Sequence, residues 1–244
     1  MSNSWRFRLS GLVKDRALSH YGIPFSPHGL EPGLVPFLDE GVPITLLDVG
    51  ASSGSFSAAV LAHCGIRRAL LVEPQPRRCR ELGARFADRR FAIRECAVSD
   101  RNGSSNMDIL NFDYSSSLLP LLPGVGGAGK LLDLQVREKV EVPVRTLDDL
   151  LEEAGWIEPV DLLKIDTQGS ELQVLKGAAH SLQRTHLIWT EVSFRPMYEG
   201  SAVFPEIHEF LYRQGFRLYS LHEGFRGDDR ELLQADALFL GPEA

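Results

Sequence analysis

Short, almost uninterrupted apolar runs alternate with helix-length stretches along most of this chain, and that rhythm restricts the fold more than any other feature. The runs at 44–49, 69–72, 91–98, 161–166 and 186–192 are too short for helices. They also lack the regular polar alternation of a strand with one wet face, so they read as strands buried on both sides. Residues 56–64, 75–86 and 171–184 read as helices. Thr146 caps a further helix through Ala154 with Asp149 as a weak capping box, and 205–214 closes the series with Gly215 as its stop signal. Strands that alternate with helices pair in parallel through right-handed crossovers. The last two β runs, 216–221 and 237–240, are too close for a helical crossover and read as an antiparallel hairpin at a sheet edge. The expected fold is α/β: a mostly parallel seven-stranded sheet with an antiparallel C-terminal hairpin and helices on both faces.

Residues 1–43 are rich in glycine and proline and read as an irregular leader packing on the core, with a short helix near Leu34. Residues 44–244 read as one domain, since 244 residues suit a single large core. Within it, residues 99–139 carry Asn102-Gly103, three serines at 115–117 and interleaved glycines and prolines. This stretch is expected to be a long insertion loop that serves as a lid.

The composition removes several classes. With 33 acidic against 26 basic side chains the net charge is −7, which argues against a protein held on nucleic acid by phosphate neutralisation. Cys64, Cys79 and Cys96 are dispersed without a CxxC pair, so neither a disulfide framework nor a zinc site is expected. No stretch approaches the roughly 20 apolar residues of a membrane span, and no targeting segment is apparent. A cytoplasmic protein is the expectation.

Four acids, Asp48, Glu73, Asp166 and Glu191, fall at or just beyond the C-terminal ends of the expected strands. Open parallel sheets bind ligands along that edge, where strand order reverses. The first strand runs into Asp48-Val49-Gly50-Ala51-Ser52-Ser53-Gly54, in which Gly50 permits a sharp turn and Gly54 lets the next helix start close by. A dinucleotide loop would space its glycines as GxGxxG. Here the spacing is GxxxG behind an aspartate, and Glu73 stands where a carboxylate accepts from both ribose hydroxyls. That combination favours S-adenosylmethionine over NAD.

The same residues resemble the FkbM methyltransferase family, in LLDVGASSGSFS at 46–57, LLVEP at 70–74, AVSD at 97–100 and SSSLLP at 115–120. The match continues through VRTLDDLL at 144–151, LLKIDTQGSELQVLKGA at 162–178, TEVSFRPMYEG at 190–200 and LLQADALFL at 232–240, with Ser53 where the family loop often has Asn. The resemblance implies a Rossmann-like class I methyltransferase that moves a methyl group from S-adenosylmethionine to a hydroxyl of a sugar, glycoside or natural product, a small-molecule acceptor. It implies a cofactor wall of Asp48, Gly50, Ser52, Gly54, Phe56, Glu73, Ala97, Ser116 and Asp166. Asp166, Glu191 and His222 are the candidates for assisting the acceptor hydroxyl. The competing reading of Asp166 is a cap on the next helix, and that of His222 an ordinary strand-end side chain. Tyr114, Ser117, Gln168 and Tyr198, with Glu199 beside the last, are expected to line the acceptor pocket. Carboxylates and a third oxygen can also hold a divalent cation, but no ligand spacing indicates a metal. A nucleotide-dependent oxidoreductase or epimerase commonly carries Tyr-x-x-x-Lys, whereas Tyr198 is followed four residues on by Ala202. A third reading keeps the pocket for binding alone.

Overall fold

The structure, a computed structural model, describes residues 29–110, 116–122, 135–227 and 230–242. Among the described residues, ten strands form two sheets. The larger contains β1 (Ile44–Val49), β2 (Ile66–Val72), β3 (Phe91–Arg94), β7 (Val160–Ile165), β8 (Thr185–Ser193), β9 (Arg217–Glu223) and β10 (Gln234–Leu240), in the order β3-β2-β1-β7-β8-β10-β9. Pairing is parallel from β3 to β8 and antiparallel on both sides of β10. The seven-stranded, mostly parallel sheet expected from the sequence is therefore present. Its hairpin has β9 outermost and β10 inserted beside β8.

Helices cover both faces. On one side α1 (Ser55–His63) and α2 (Pro76–Arg85) meet Leu46, Leu71, Leu162 and Trp189, and the segment before β1 adds Leu30, Leu34 and Leu38. On the other, α3 (Leu147–Glu153), α4 (Glu171–Lys176), α5 (Ala179–Leu182) and α6 (Phe204–Arg213) cover Leu47, Leu70, Leu163, Ile188 and Phe239. Burial on both faces explains the unalternating apolar runs: all six residues of β1 are buried. Thr146 caps α3, accepting from the Asp149 N–H at 3.2 Å.

Three expectations are corrected. Residues 99–139 are not one loop. They carry β5 (Gly103–Leu110) and the start of β6 (Val136–Arg145), an antiparallel pair that forms a second sheet with β4 (Ala97–Val98). The signal was weak because this sheet is small and wet: Met107 and Leu110 are the buried residues of β5, and the first four of β6 are exposed. The run 91–98 splits between β3 and β4, which belong to different sheets. The helix expected over 171–184 breaks at Gly177, where a Cβ would lie 2.0 Å from the Ser99 carbonyl oxygen, so chain crossing there requires glycine.

Candidate active site

Strand order reverses between β1 and β7, and two adjoining cavities open at the C-terminal ends of these strands. Gly50, Ser52 and Asp166 line both. Gly50 makes the junction possible. Its φ is 76°, and a Cβ would stand 1.9 Å from the Asp166 carbonyl oxygen, so the β1 and β7 turns touch backbone to backbone.

The first cavity lies over β2 and β4, with Glu73, Ala97, Met107, Ser116, Ser117 and Gln168 on its wall. Glu73 is 3% exposed, and its two oxygens accept the backbone N–H groups of Ser52 at 2.9 Å and Gln75 at 3.0 Å. Burial pushes its pKa up against those hydrogen bonds. The carboxylate is thus fixed in place with lone pairs left to accept from a ligand.

The second cavity lies on the far side of Gly50. Ser55 and Phe56 from α1, Trp189 from β8, Lys164, Asp166, Asp236 and, from the segment before β1, Gly29 and Glu31 enclose it. Lys164 donates to the Gly50 carbonyl at 2.7 Å and faces Asp48 at 3.3 Å and Asp166 at 3.6 Å. Burial disfavours the ammonium, but the two carboxylates outweigh it and its pKa is raised.

The turn after β7 is tied from several directions. The buried Glu171 carboxylate accepts from the Thr167 and Gly169 N–H groups at 2.9–3.0 Å, and burial raises its pKa. Gln168 holds a left-handed φ of 56°. Its amide donates to Asp166 at 2.8 Å and to Glu191 at 3.3 Å, while its oxygen accepts the Tyr198 hydroxyl at 3.0 Å. Ser117 donates to the Gln168 backbone carbonyl at 2.6 Å. Backbone strain held by this many partners is a mark of functional turns.

Of the expected cofactor wall, Gly50, Ser52, Glu73, Ala97, Ser116 and Asp166 line the first cavity and Phe56 the second. Two members line neither cavity. Asp48 is 0% exposed and lines neither cavity; it accepts from Ser57 at 2.6 Å and pairs with Lys164 beneath the loop. Gly54 packs against Phe86 and Leu82. Among the catalytic candidates, Asp166 stands at the junction. Glu191 is half-buried behind it, accepting from the Gln234 amide at 2.8 Å; burial, then Asp166, Glu171 and Asp236, hold its pKa well above the carboxylate range. His222, by contrast, lies within β9 and lines neither cavity, bonded to Ser220 at 2.8 Å, against Trp189 at 5.1 Å and under Gly33. Ser117 and Gln168 line the first cavity, whereas Tyr198 is 3% exposed and reaches it only by its hydrogen bond to Gln168; burial raises its phenol pKa. Glu199 is exposed, its N–H bonded to the Pro120 carbonyl at 2.8 Å. Tyr114 lies outside the described residues.

Sequence reasoning passed over Lys164, Glu171, Asp236, Glu31 and Trp189. An ionisable side chain inside an otherwise apolar strand, as in LLKID and ADALFL, was the available signal for Lys164 and Asp236. Among the described residues, no group of three or more His, Cys, Asp or Glu is arranged to hold a metal, and no helix is long and apolar enough to cross a membrane.

A mostly parallel sheet with an inserted antiparallel strand and a ligand edge at the β1/β7 reversal defines a Rossmann-like class I methyltransferase fold. Residues 48–218 match the methyltransferase FkbM domain. The chain belongs to that family. It is 32% identical over 186 residues to the 2-O-methyltransferase NoeI of Sinorhizobium fredii, covering 73% of this chain and 74% of the relative. It is 27% identical over 201 residues to the methyltransferase sdnD of Sordaria araneosa, covering 70% and 73%. The crystal structure of methyltransferase FkbM from Methylobacillus flagellatus superposes with a TM-score of 0.55 at 16% identity, over 90% of this chain and 49% of that one; this chain thus spans about half its length.

Proposed function

We propose that this protein is an S-adenosylmethionine-dependent O-methyltransferase acting on a hydroxyl of a small, polyhydroxylated, sugar-like acceptor in the cytoplasm. The observation that carries the reading is Glu73: a carboxylate buried at the end of β2, locked by two backbone N–H groups, facing a cavity bordered by Gly50, where any Cβ would collide with the Asp166 carbonyl. That cradle fits a nucleoside whose ribose hydroxyls donate to a carboxylate, and the acidic second cavity fits a cationic tail. When bound, the cofactor supplies an electrophilic sulfonium methyl. The protein orients it with Gly50, Ser52 and Glu73 and holds the acceptor beside Asp166, so that positioning contributes most of the acceleration. The 2-O-methyltransferase relative supports oxygen as the acceptor atom. The net charge of −7 supports a small molecule over nucleic acid.

Calorimetric titration with S-adenosylmethionine and with NAD tests the cofactor. Binding of the first is expected, and Glu73→Ala is expected to weaken it by about 1–3 kcal/mol through lost charge-assisted hydrogen bonds. Binding of NAD in place of the methyl donor would refute the proposal. Labelled methyl transfer to methyl glycosides of glucose, mannose, rhamnose and glucosamine, with and without chelator, tests the acceptor and any need for a metal.

A further inference from the structure

Asp236 occupies a position that the reading above leaves unused. It enters the second cavity from β10, half-buried, paired in register with Glu191 of β8 and with His222 of β9. The charged and titratable groups around it come from every neighbouring element: Glu31 from the segment before β1, Lys164 and Asp166 from β7 and its turn, Glu191 from β8 and His222 from β9. Lys164 is already engaged by Asp48, Asp166 and the Gly50 carbonyl. Among the described residues, the cavity therefore holds an excess of carboxylate with no cation free to balance it, directly across Gly50 from the nucleoside cradle.

We propose that Asp236 takes up the proton of the acceptor hydroxyl, and that the arrival of the positively charged methyl donor is what ionises it for that role. This rests on the methyl-donor reading above. Burial, then Asp166 and Glu31, push the Asp236 carboxyl up to about 7, so in the empty protein it is protonated about half the time near neutral pH. A cation brought into the cavity favours the carboxylate and expels that proton to solvent. During transfer an O–C bond forms while the S–C bond breaks, leaving its electron pair on sulfur, and the hydroxyl proton passes to Asp236. The positive charge disappears as the proton arrives, so the proton affinity of Asp236 climbs at the moment it is needed.

The test compares S-adenosylmethionine with S-adenosylhomocysteine, which lacks the sulfonium charge. Calorimetry at pH 7 in buffers of different ionisation enthalpy counts protons released. Wild type is expected to release about 0.5 proton more with the sulfonium compound, as a carboxyl half-protonated at pH 7 requires. Asp236→Asn is expected to bind both compounds and lose the difference, whereas Glu191→Gln keeps it. Should Asp236→Asn fold poorly, the wild-type affinities decide: that for S-adenosylmethionine rises between pH 6 and 8, and that for S-adenosylhomocysteine stays flat. With whichever methyl glycoside wild type labels, Asp236→Asn is expected to transfer about 100-fold more slowly, the usual share of a positioned base. Equal proton release for the two compounds, a difference that survives in Asp236→Asn, or turnover within threefold of wild type each overturns the inference. Failure of wild type to bind either compound removes the methyl-donor reading itself.

Discussion

Gly50 and Gly54 both have left-handed φ values, yet their neighbours differ in kind. A Cβ on Gly50 meets a backbone oxygen at 1.9 Å, and the β7 turn would have to move as a unit to admit it. A Cβ on Gly54 meets the side chains of Phe86 and Leu82, at 2.5 and 2.7 Å, which can rotate away in part. Gly50→Ala is therefore expected to cost at least about 2 kcal/mol and to abolish S-adenosylhomocysteine binding. Gly54→Ala should cost less and leave residual binding. Thermal unfolding and calorimetry on both variants check the ranking, and equal losses would count against it. These glycines were legible in the sequence because a chain that turns sharply out of a strand leaves few alternatives. The direction of Asp48 was not. A strand buried on both faces shows no alternation, so nothing in the string separates a carboxylate facing the ligand from one facing Lys164 beneath it.

The turn between β7 and α4 is built around Glu171. Among the described residues its carboxylate meets donors on the turn: the Thr167 and Gly169 N–H groups, the Thr167 hydroxyl and its own N–H. Glu171→Gln places an amide N–H₂ against those donors, and a buried mismatch of this kind costs about 2–3 kcal/mol. Denaturant unfolding should show that loss, accompanied by weaker S-adenosylhomocysteine binding as Asp166 and Gln168 lose their fixed positions; an unchanged affinity would separate the turn from the site. Elements of the large sheet were legible because burial leaves little freedom in their composition. The second sheet was not, because β5 and β6 present polar and charged side chains over most of their length and so look like loop. Chemistry-bearing residues inside apolar strands, Lys164 and Asp236, stand in plain view in the string, but nothing there shows which way their side chains face.

Across the whole molecule, carboxyls whose pKa values are raised by burial gather along one edge of the sheet: Glu73, Glu171, Glu191 and Asp236. For Asp236 the ordinary value is 3.8 and the folded value about 7, so the fold favours the protonated form. Its stabilising contribution is complete below about pH 4 and is lost as pH rises through about 7. Asp236→Asn cannot ionise. Its melting temperature is expected to match wild type at about pH 3.5, below the ordinary carboxyl value, and to exceed it at pH 8, with the excess shrinking when S-adenosylmethionine is present. A constant offset at both pH values would argue against an ionisation at this position. The net charge of −7 conveys nothing of this arrangement, since a sum over the chain carries no positions.

The insertion of β10 between β8 and β9 has a consequence for how the molecule comes into being. The strand that carries Asp236 is the last of the ten in chain order, yet it fills an interior place in the sheet. During synthesis every earlier strand leaves the ribosome first, and β8 and β9 must wait apart, each with an open edge, until β10 arrives to join them. The nucleoside cradle can assemble on the growing chain from β1, β2 and β7. The acidic chamber cannot, so a nascent chain has somewhere to hold a nucleoside well before it has anything to do with a methyl group.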